Sequence, residues 1–221
     1  MEKSRPHVIL SAAMTLDGKI AKGRTKIKLS SKNDKIRVHK LRAKVDGILI
    51  GKNTLDTDNP MLNVRYVTGK NPVRILLDSR GTIKSSSKII QSCSKISTII
   101  ATTQLISKKN LSRLEKFPLE IIKCGKSSVD VVKLLKILQK KGMKKILLEG
   151  GGTLNWSFLK RGLVDELIIT ITPYILGGSD SVTLVEGSGF KNLFSMNKLK
   201  LGKIQKIGNE LVVYYLSLIH I

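Results

Sequence analysis

Cysteine is scarce in this 221-residue chain: Cys93 and Cys124 are the only two, in no C-x-x-C pair and beside no histidine pair. That argues against a disulfide framework or a zinc knuckle, and both thiols read as reduced, as in a cytoplasmic protein. Aromatic residues make up only 4%, too few for a series of base-stacking platforms. Long apolar runs are missing as well. The stretch 8–13 is too short for a secretory signal and nothing reaches the length of a membrane span, so no membrane association is expected. The three histidines are scattered: His7 opens a strand, His39 lies in a helix and His220 falls in the terminus, so no metal site is expected. The H-x-E and P-C-x-x-C pair of zinc deaminases is absent. So is the G-x-S-x-G of the standard serine hydrolases. Acidic residues are few: sixteen Asp and Glu face forty Lys and Arg, for a net charge of +24. Such a balance raises nucleic-acid binding as a reading. The bases, however, are spread from Lys3 to Lys206 and form no single arm. A basic surface that attracts phosphorylated small molecules is the preferred reading, with no nucleic acid expected.

What is present is a chain with 41% hydrophobic residues, enough for one real core. A single domain over 1–221 is the economical reading, since no linker, repeat or low-complexity block interrupts it. Short runs rich in Val and Ile predict strands at 7–13, 45–50, 73–78, 97–101, 119–123, 145–149 and 166–173. Apolar residues at helical spacing predict helices at 34–44, 107–116, 129–141 and 154–161. Asp130 and Gly142 supply the start and stop of the third. Alternation of the two patterns implies a largely parallel sheet with helices on its faces. The stretch 166–216 is strand-rich with glycine turns and should add antiparallel strands. The result is an α/β fold with a mixed, mostly parallel central sheet flanked by helices. Residues 216–221 are apolar for a terminus, and read either as a continued strand or as a tail foreign to the natural chain.

The strongest local motif is Glu149-Gly150-Gly151-Gly152-Thr153-Leu154-Asn155-Trp156 after a buried strand. Glycines let the backbone approach a ligand, and a helix N-terminus offers N–H groups and partial positive charge to a phosphate. It is not the usual dinucleotide fingerprint, because Asn155 stands where the third glycine belongs, and no Lys-Ser or Lys-Thr makes it a Walker loop. The competing reading is a tight turn that binds nothing. Asp17-Gly18, after the first strand, reads by itself as a hairpin turn. The polar stretch 51–65 reads as a loop at a strand's carboxyl end. Such loops carry ligand contacts in α/β folds, or are simply solvated.

Taken together, seven ordered segments resemble one family. They are Met14-Thr15-Leu16-Asp17-Gly18-Lys19, residues 37–48, residues 51–60, residues 71–79, residues 148–156, Gly162-Leu163-Val164-Asp165-Glu166, and Pro173 with Leu176-Gly177-Gly178. The chain is similar to the archaeal and fungal diaminohydroxy-phosphoribosylamino-pyrimidine reductases, and to the reductase half of bacterial bifunctional riboflavin-pathway enzymes. The resemblance implies a dihydrofolate-reductase-like fold, a homodimer, and NADPH-dependent reduction of a ribosylamino side chain to ribityl. NADH remains open as donor; Ser79 and Arg80 favour the 2′-phosphate. Carried over by position, Ala13, Thr54, Asp58, Ser79 and residues Gly150, Gly151, Gly152, Thr153, Leu154, Asn155 and Trp156 are implied cofactor contacts. Arg42, Leu62, Arg65 and Glu149 are implied substrate contacts, with the arginines suited to a 5′-phosphate. Asp58 is the candidate proton relay or orienting carboxylate, and Glu149 the candidate grip on the pyrimidine amino groups. Asp17 reads as a turn residue. One departure is the stretch 26–30, where Lys28 offers a point charge without the fork of an arginine. The alternatives are another pterin or pyrimidine reductase of the same superfamily, a basic nucleic-acid-binding protein, or a non-catalytic dimeric scaffold. Whether the pyrimidine is taken before or after deamination is open at this stage.

Overall fold

The short Val- and Ile-rich runs become strands in the computed structural model, which describes residues 4–23, 25 and 27–218. In chain order the strands are β1 (His7–Met14), β2 (Lys19–Lys22), β3 (Gly47–Gly51), β4 (Val73–Leu77), β5 (Thr98–Thr102), β6 (Glu120–Lys123), β7 (Lys145–Leu148), β8 (Glu166–Ile171), β9 (Ser181–Thr183), β10 (Leu199–Ile207) and β11 (Glu210–Ser217). The helices are α1 (Lys32–Arg42), α2 (Lys52–Asp58), α3 (Lys88–Gln91), α4 (Lys108–Leu114), α5 (Val131–Lys140) and α6 (Gly152–Leu159). The chain divides into two units: His39–Ile146 with the segment before β1, and His7–Val38 with the residues from Leu147 on.

In the first unit β3, β4, β5 and β6 are neighbours in that order and every pairing is parallel. Such strands are covered on both faces, which explains why Ile48, Leu49, Ile50, Ile75, Leu76 and Ile100 are all buried. α5 forms where apolar spacing predicts it. It buries Val131, Leu134, Leu135 and Leu138, and the Asp130 carboxylate accepts from the N–H groups of Val132 and Lys133 at 3.0 Å. Ser107 caps α4 in the same way, accepting from Asn110 at 3.2 Å.

In the second unit β1 pairs parallel with β8, while β8–β11 and β11–β10 are antiparallel. β2 and β9 form a separate antiparallel pair. The Asp17-Gly18 turn forms, with Gly18 at φ +78° and the Thr15 N–H bonded to the Lys19 carbonyl at 2.9 Å. It does not make a β1–β2 hairpin, because β2 takes β9 as its partner. The polar stretch read as a loop contains α2. That helix is only seven residues long, buries Leu55 alone and has no capping side chain, so no periodicity announced it. Of the terminus, Leu216 and Ser217 continue β11, whereas residues 219–221, including His220, lie outside the described residues.

Candidate active site

Six of the implied site residues fall in the first unit: Arg42, Thr54, Asp58, Leu62, Arg65 and Ser79. Thr54 and Asp58 are four apart on α2, hence on one helix face, and both are half-buried. After α2 the chain turns through Asn59 at φ 39° and Leu62 at φ 49°. Leu62 is buried to 2% exposure, so its side chain packs inward. A left-handed leucine is costly and persists only where its surroundings fix it. Here the Asn59 Oδ1 accepts from the Lys88 N–H at 2.9 Å, and the Met61 carbonyl accepts from Arg74 Nη1 at 3.2 Å.

Two guanidinium groups meet at Asn63. Arg42 Nη1 donates to its carbonyl at 3.2 Å and Arg65 Nη1 donates to its Oδ1 at 2.9 Å. The Val64 N–H donates to Asn71 Oδ1 at 2.7 Å, which fixes the intervening backbone. Arg65 is exposed and its guanidinium carbon lies 5.0 Å from the centre of the Tyr66 ring. Ser79 and Arg80 sit on a turn shaped by buried Asp78, whose carboxylate accepts from Ile83 N–H at 2.7 Å and Arg80 N–H at 3.3 Å. The Ser79 carbonyl accepts from Thr103 Oγ1 at 2.8 Å and Thr102 Oγ1 at 3.1 Å.

The second unit holds Ala13, Glu149 and the glycine loop. Ala13 is half-buried near the end of β1, opposite Thr170 of β8. Glu149 is half-buried just after β7. Gly151 is the N-cap of α6 and has no side chain with which to cap it. The N–H groups of that first turn are the kind that bind anions. The three glycines do not share one role. Gly150 has φ +78°, and a Cβ on Gly152 would lie 2.5 Å from both the Thr183 carbonyl and Glu186 Cγ. Gly152 is therefore small to admit the protein's own chain. Glu186 turns its Oε1 toward Thr183, accepting from its N–H at 2.6 Å and its Oγ1 at 2.7 Å. Those two bonds, the hydroxyl first, hold its carboxyl below the usual range.

Along α6, Leu154, Asn155 and Trp156 are buried and Thr153 is exposed. Trp156 packs edge-on to Phe190 at 4.8 Å, and a side chain at Gly187 would strike its ring. Asn155 Nδ2 donates to the Leu184 carbonyl at 2.8 Å, while its buried Oδ1 has no hydrogen-bond partner and lies 3.2 Å from where a Cβ on Gly150 would stand. Such an orphaned acceptor suits a ligand donor. Lys28 is exposed, and Lys26 lies outside the described residues.

Four residues that shape these places were not among the site residues expected from the sequence. His39, set aside with the other histidines, is buried and its Nδ1 accepts from the Arg65 N–H at 3.0 Å. Its spacing of three from Arg42 on α1 was the available signal. Arg74 lies inside an apolar strand, itself a sign of a buried network, and is 1% exposed. Glu186 had no signal. Asp17 is more than a turn residue: its carboxylate accepts from Thr15 Oγ1 at 2.5 Å, Gly177 N–H at 2.7 Å and Leu176 N–H at 3.1 Å. Among the described residues no group of three or more His, Cys, Asp and Glu side chains is placed to hold a metal ion, and no helix is long and apolar enough to cross a membrane.

Residues 6–213 match the family model described as the RibD C-terminal domain. The chain is 38% identical over 213 residues to the 2,5-diamino-6-ribosylamino-4(3H)-pyrimidinone 5′-phosphate reductase of Aquifex aeolicus, covering 94% of this chain and 95% of that one. It is likewise 38% identical over 214 residues to the protein of the same name in Methanothermobacter thermautotrophicus, covering 96% and 98%. Among solved structures it is similar to Acinetobacter baumannii RibD, with a TM-score of 0.82 at 23% identity over 98% of this chain and 59% of that one. The chain thus spans somewhat over half of that RibD protein, and that likeness concerns the fold. The fold likeness extends to Enterococcus faecalis dihydrofolate reductase, with a TM-score of 0.55 at 11% identity over 96% of each chain. The fold is dihydrofolate-reductase-like, and the chain belongs to the RibD C-terminal domain family of riboflavin-biosynthesis reductases.

Proposed function

We propose that the chain reduces the ribosylamino side chain of 2,5-diamino-6-(ribosylamino)-4(3H)-pyrimidinone 5′-phosphate to the ribitylamino product, with NADPH as hydride donor. The observation that carries this reading is that Arg42 and Arg65 both donate to Asn63, two guanidinium groups on one residue, which supports a role for the pair in holding a 5′-phosphate. The family match spans both units, which supports one reductase domain.

A reduced nicotinamide dinucleotide suits the residues present. The first turn of α6 has no capping side chain, and Asn155 Oδ1 is a buried acceptor lacking a donor. Gly150, Gly151, Gly152 and Thr153 would hold the pyrophosphate through backbone N–H groups, and Leu154, Asn155 and Trp156 would fix that turn by packing. Ala13, Thr54 and Asp58 would line the cofactor, and Ser79 with Arg80 would meet the 2′-phosphate that separates NADPH from NADH. When bound, the nicotinamide supplies hydride to C1′ of the ring-opened imine form of the sugar. A proton goes to the nitrogen, and O4′ is left as a hydroxyl. Asp58 orients or relays that proton, and Glu149 accepts from the pyrimidine amino groups. Leu62 bounds the substrate through its fixed backbone. The protein's main contribution is alignment of C1′ with the donor.

A homodimer is supported by one sheet face. The β10–β11 register puts Leu199, Leu201, Ile204 and Leu211 on the same side, and they are 38%, 48%, 59% and 45% exposed. Two unpaired, buried thiols support a reducing, cytoplasmic setting. The test is oxidation of NADPH by the purified protein with the diamino substrate and its deaminated counterpart in parallel. Turnover of the diamino compound with the higher kcat/KM is expected. Turnover of neither sinks the proposal.

A further inference from the structure

We propose that His39 is a positioning residue that sets Arg65 for the substrate's phosphate, acting through a neutral imidazole whose Nδ1 is a fixed acceptor. This rests on the reading of Arg65 as a phosphate ligand. A backbone N–H can only donate, so the 3.0 Å contact from Arg65 N requires a lone pair on His39 Nδ1. The imidazole is 3% exposed, and a buried acceptor is a stable anchor for an otherwise exposed loop.

Three contacts close a ring. His39 holds the Arg65 backbone. The His39 and Tyr66 rings meet edge-on, centroids 4.7 Å apart and planes at 77°. The Tyr66 ring in turn carries the Arg65 guanidinium at 5.0 Å. One imidazole therefore fixes both the backbone that bears the arginine and the surface on which its head lies. An exposed arginine would otherwise sample many rotamers, and that freedom would be lost on binding. A guanidinium lying over a ring keeps N–H groups on several edges, and one of them is turned to Asn63. His39 and Arg42 are three apart on α1, so the same helix face serves both arginines, one directly and one through the loop.

The test is steady-state kinetics of wild type, His39→Leu, His39→Asn and Tyr66→Ala on the phosphorylated pyrimidine and on its 5′-dephosphorylated form. His39→Leu removes the acceptor at similar volume. It should raise KM for the phosphorylated substrate about tenfold, with kcat held within about twofold and the dephosphorylated substrate unaffected. Asparagine places Oδ1 where Nδ1 stood and should restore KM to within about threefold. Tyr66 is exposed, so Tyr66→Ala leaves the core intact and should show the same phosphate-specific rise in KM. Equal losses on both substrates, asparagine behaving as leucine, or an unchanged KM in Tyr66→Ala each overturn the inference. The wild-type rate separates the two ideas: no turnover sinks the substrate reading and Arg65's role with it, whereas turnover with an unchanged His39→Leu sinks this inference alone.

Discussion

Arg74 Nη1 donates to the carbonyl of Met61, the residue just before left-handed Leu62, from a position that is 1% exposed. The same guanidinium donates to the carbonyls of Ile89 and Ile96 at 2.9 and 3.1 Å, to Ser92 Oγ at 2.7 Å and to Thr98 Oγ1 at 2.7 Å. All these acceptors are neutral. Burial without a carboxylate pushes the guanidinium down to about 10 from an ordinary 12.5. A charge held by neutral dipoles alone is costly, so its geometric product is what the fold retains: a strand, a short helix and the loop of Leu62 tied to one point.

Replacing Arg74 with leucine should therefore destabilise the protein by about 3 kcal/mol, because several buried carbonyl and hydroxyl acceptors lose a guanidinium donor. Urea denaturation measures it. A change below about 0.5 kcal/mol would mean that water enters and replaces the guanidinium.

Asp17 gives a pH signature. Its carboxyl lies at about 2 instead of 3.8, owing first to Thr15 Oγ1 and then to the N–H groups of Leu176 and Gly177. A depressed folded pKa means that the stabilisation is fully present above 3.8 and is lost as pH falls through about 2. The amide shifts of Leu176 and Gly177 should titrate with a midpoint near that lower value, and Asp17→Asn should abolish the titration while loosening the 174–178 loop. NMR across acid pH reads both. A midpoint at the ordinary aspartate value would disprove the clamp.

Much of this fold was legible because its strands are apolar and α5 carries its apolar residues on one face. β4, β5 and β6 fall within a residue or two of the Val- and Ile-rich runs, and Asp130 and Gly142 bracket α5 as expected. α2 was not legible, since Leu55 is its only buried residue and one apolar position has no period. The glycine loop was legible as backbone chemistry but not in its detail. Gly152 is small because Thr183 and Glu186 press against it, a contact across some thirty residues that local sequence cannot report. The same limit hid His39, whose partner Arg65 is 26 positions away.

Cofactor choice is tested at Ser79. A carboxylate beside a 2′-phosphate is repulsive, so Ser79→Glu should raise KM for NADPH at least about tenfold and leave KM for NADH nearly unchanged. Initial rates with each donor decide it. Equal effects on both would place the 2′-phosphate elsewhere.

Thr54 and Asp58 share a face of α2, and substituting each in turn tests positioning against chemistry. If Asp58 handles the proton, Asp58→Asn should lower kcat about a hundredfold with KM for the pyrimidine little changed. Thr54→Val should act on KM for NADPH instead. A rise in KM alone for Asp58→Asn would assign that carboxylate to binding.

The apolar face of β10 and β11 makes the last prediction. Leu201 pairs with Tyr215, Ile204 with Val213 and Lys206 with Leu211, so Leu199, Leu201, Ile204 and Leu211 lie on one side of the two strands. Four large apolar side chains exposed on one side of two strands are a surface that a twofold contact would cover, each copy by the other. Ile204→Glu places a charge on that surface. Light scattering after size exclusion should show a dimer for wild type and a monomer for the variant at micromolar concentration. A dimer that survives Ile204→Glu would move the interface to another face, and a monomeric wild type would leave that surface without a second copy as its cover.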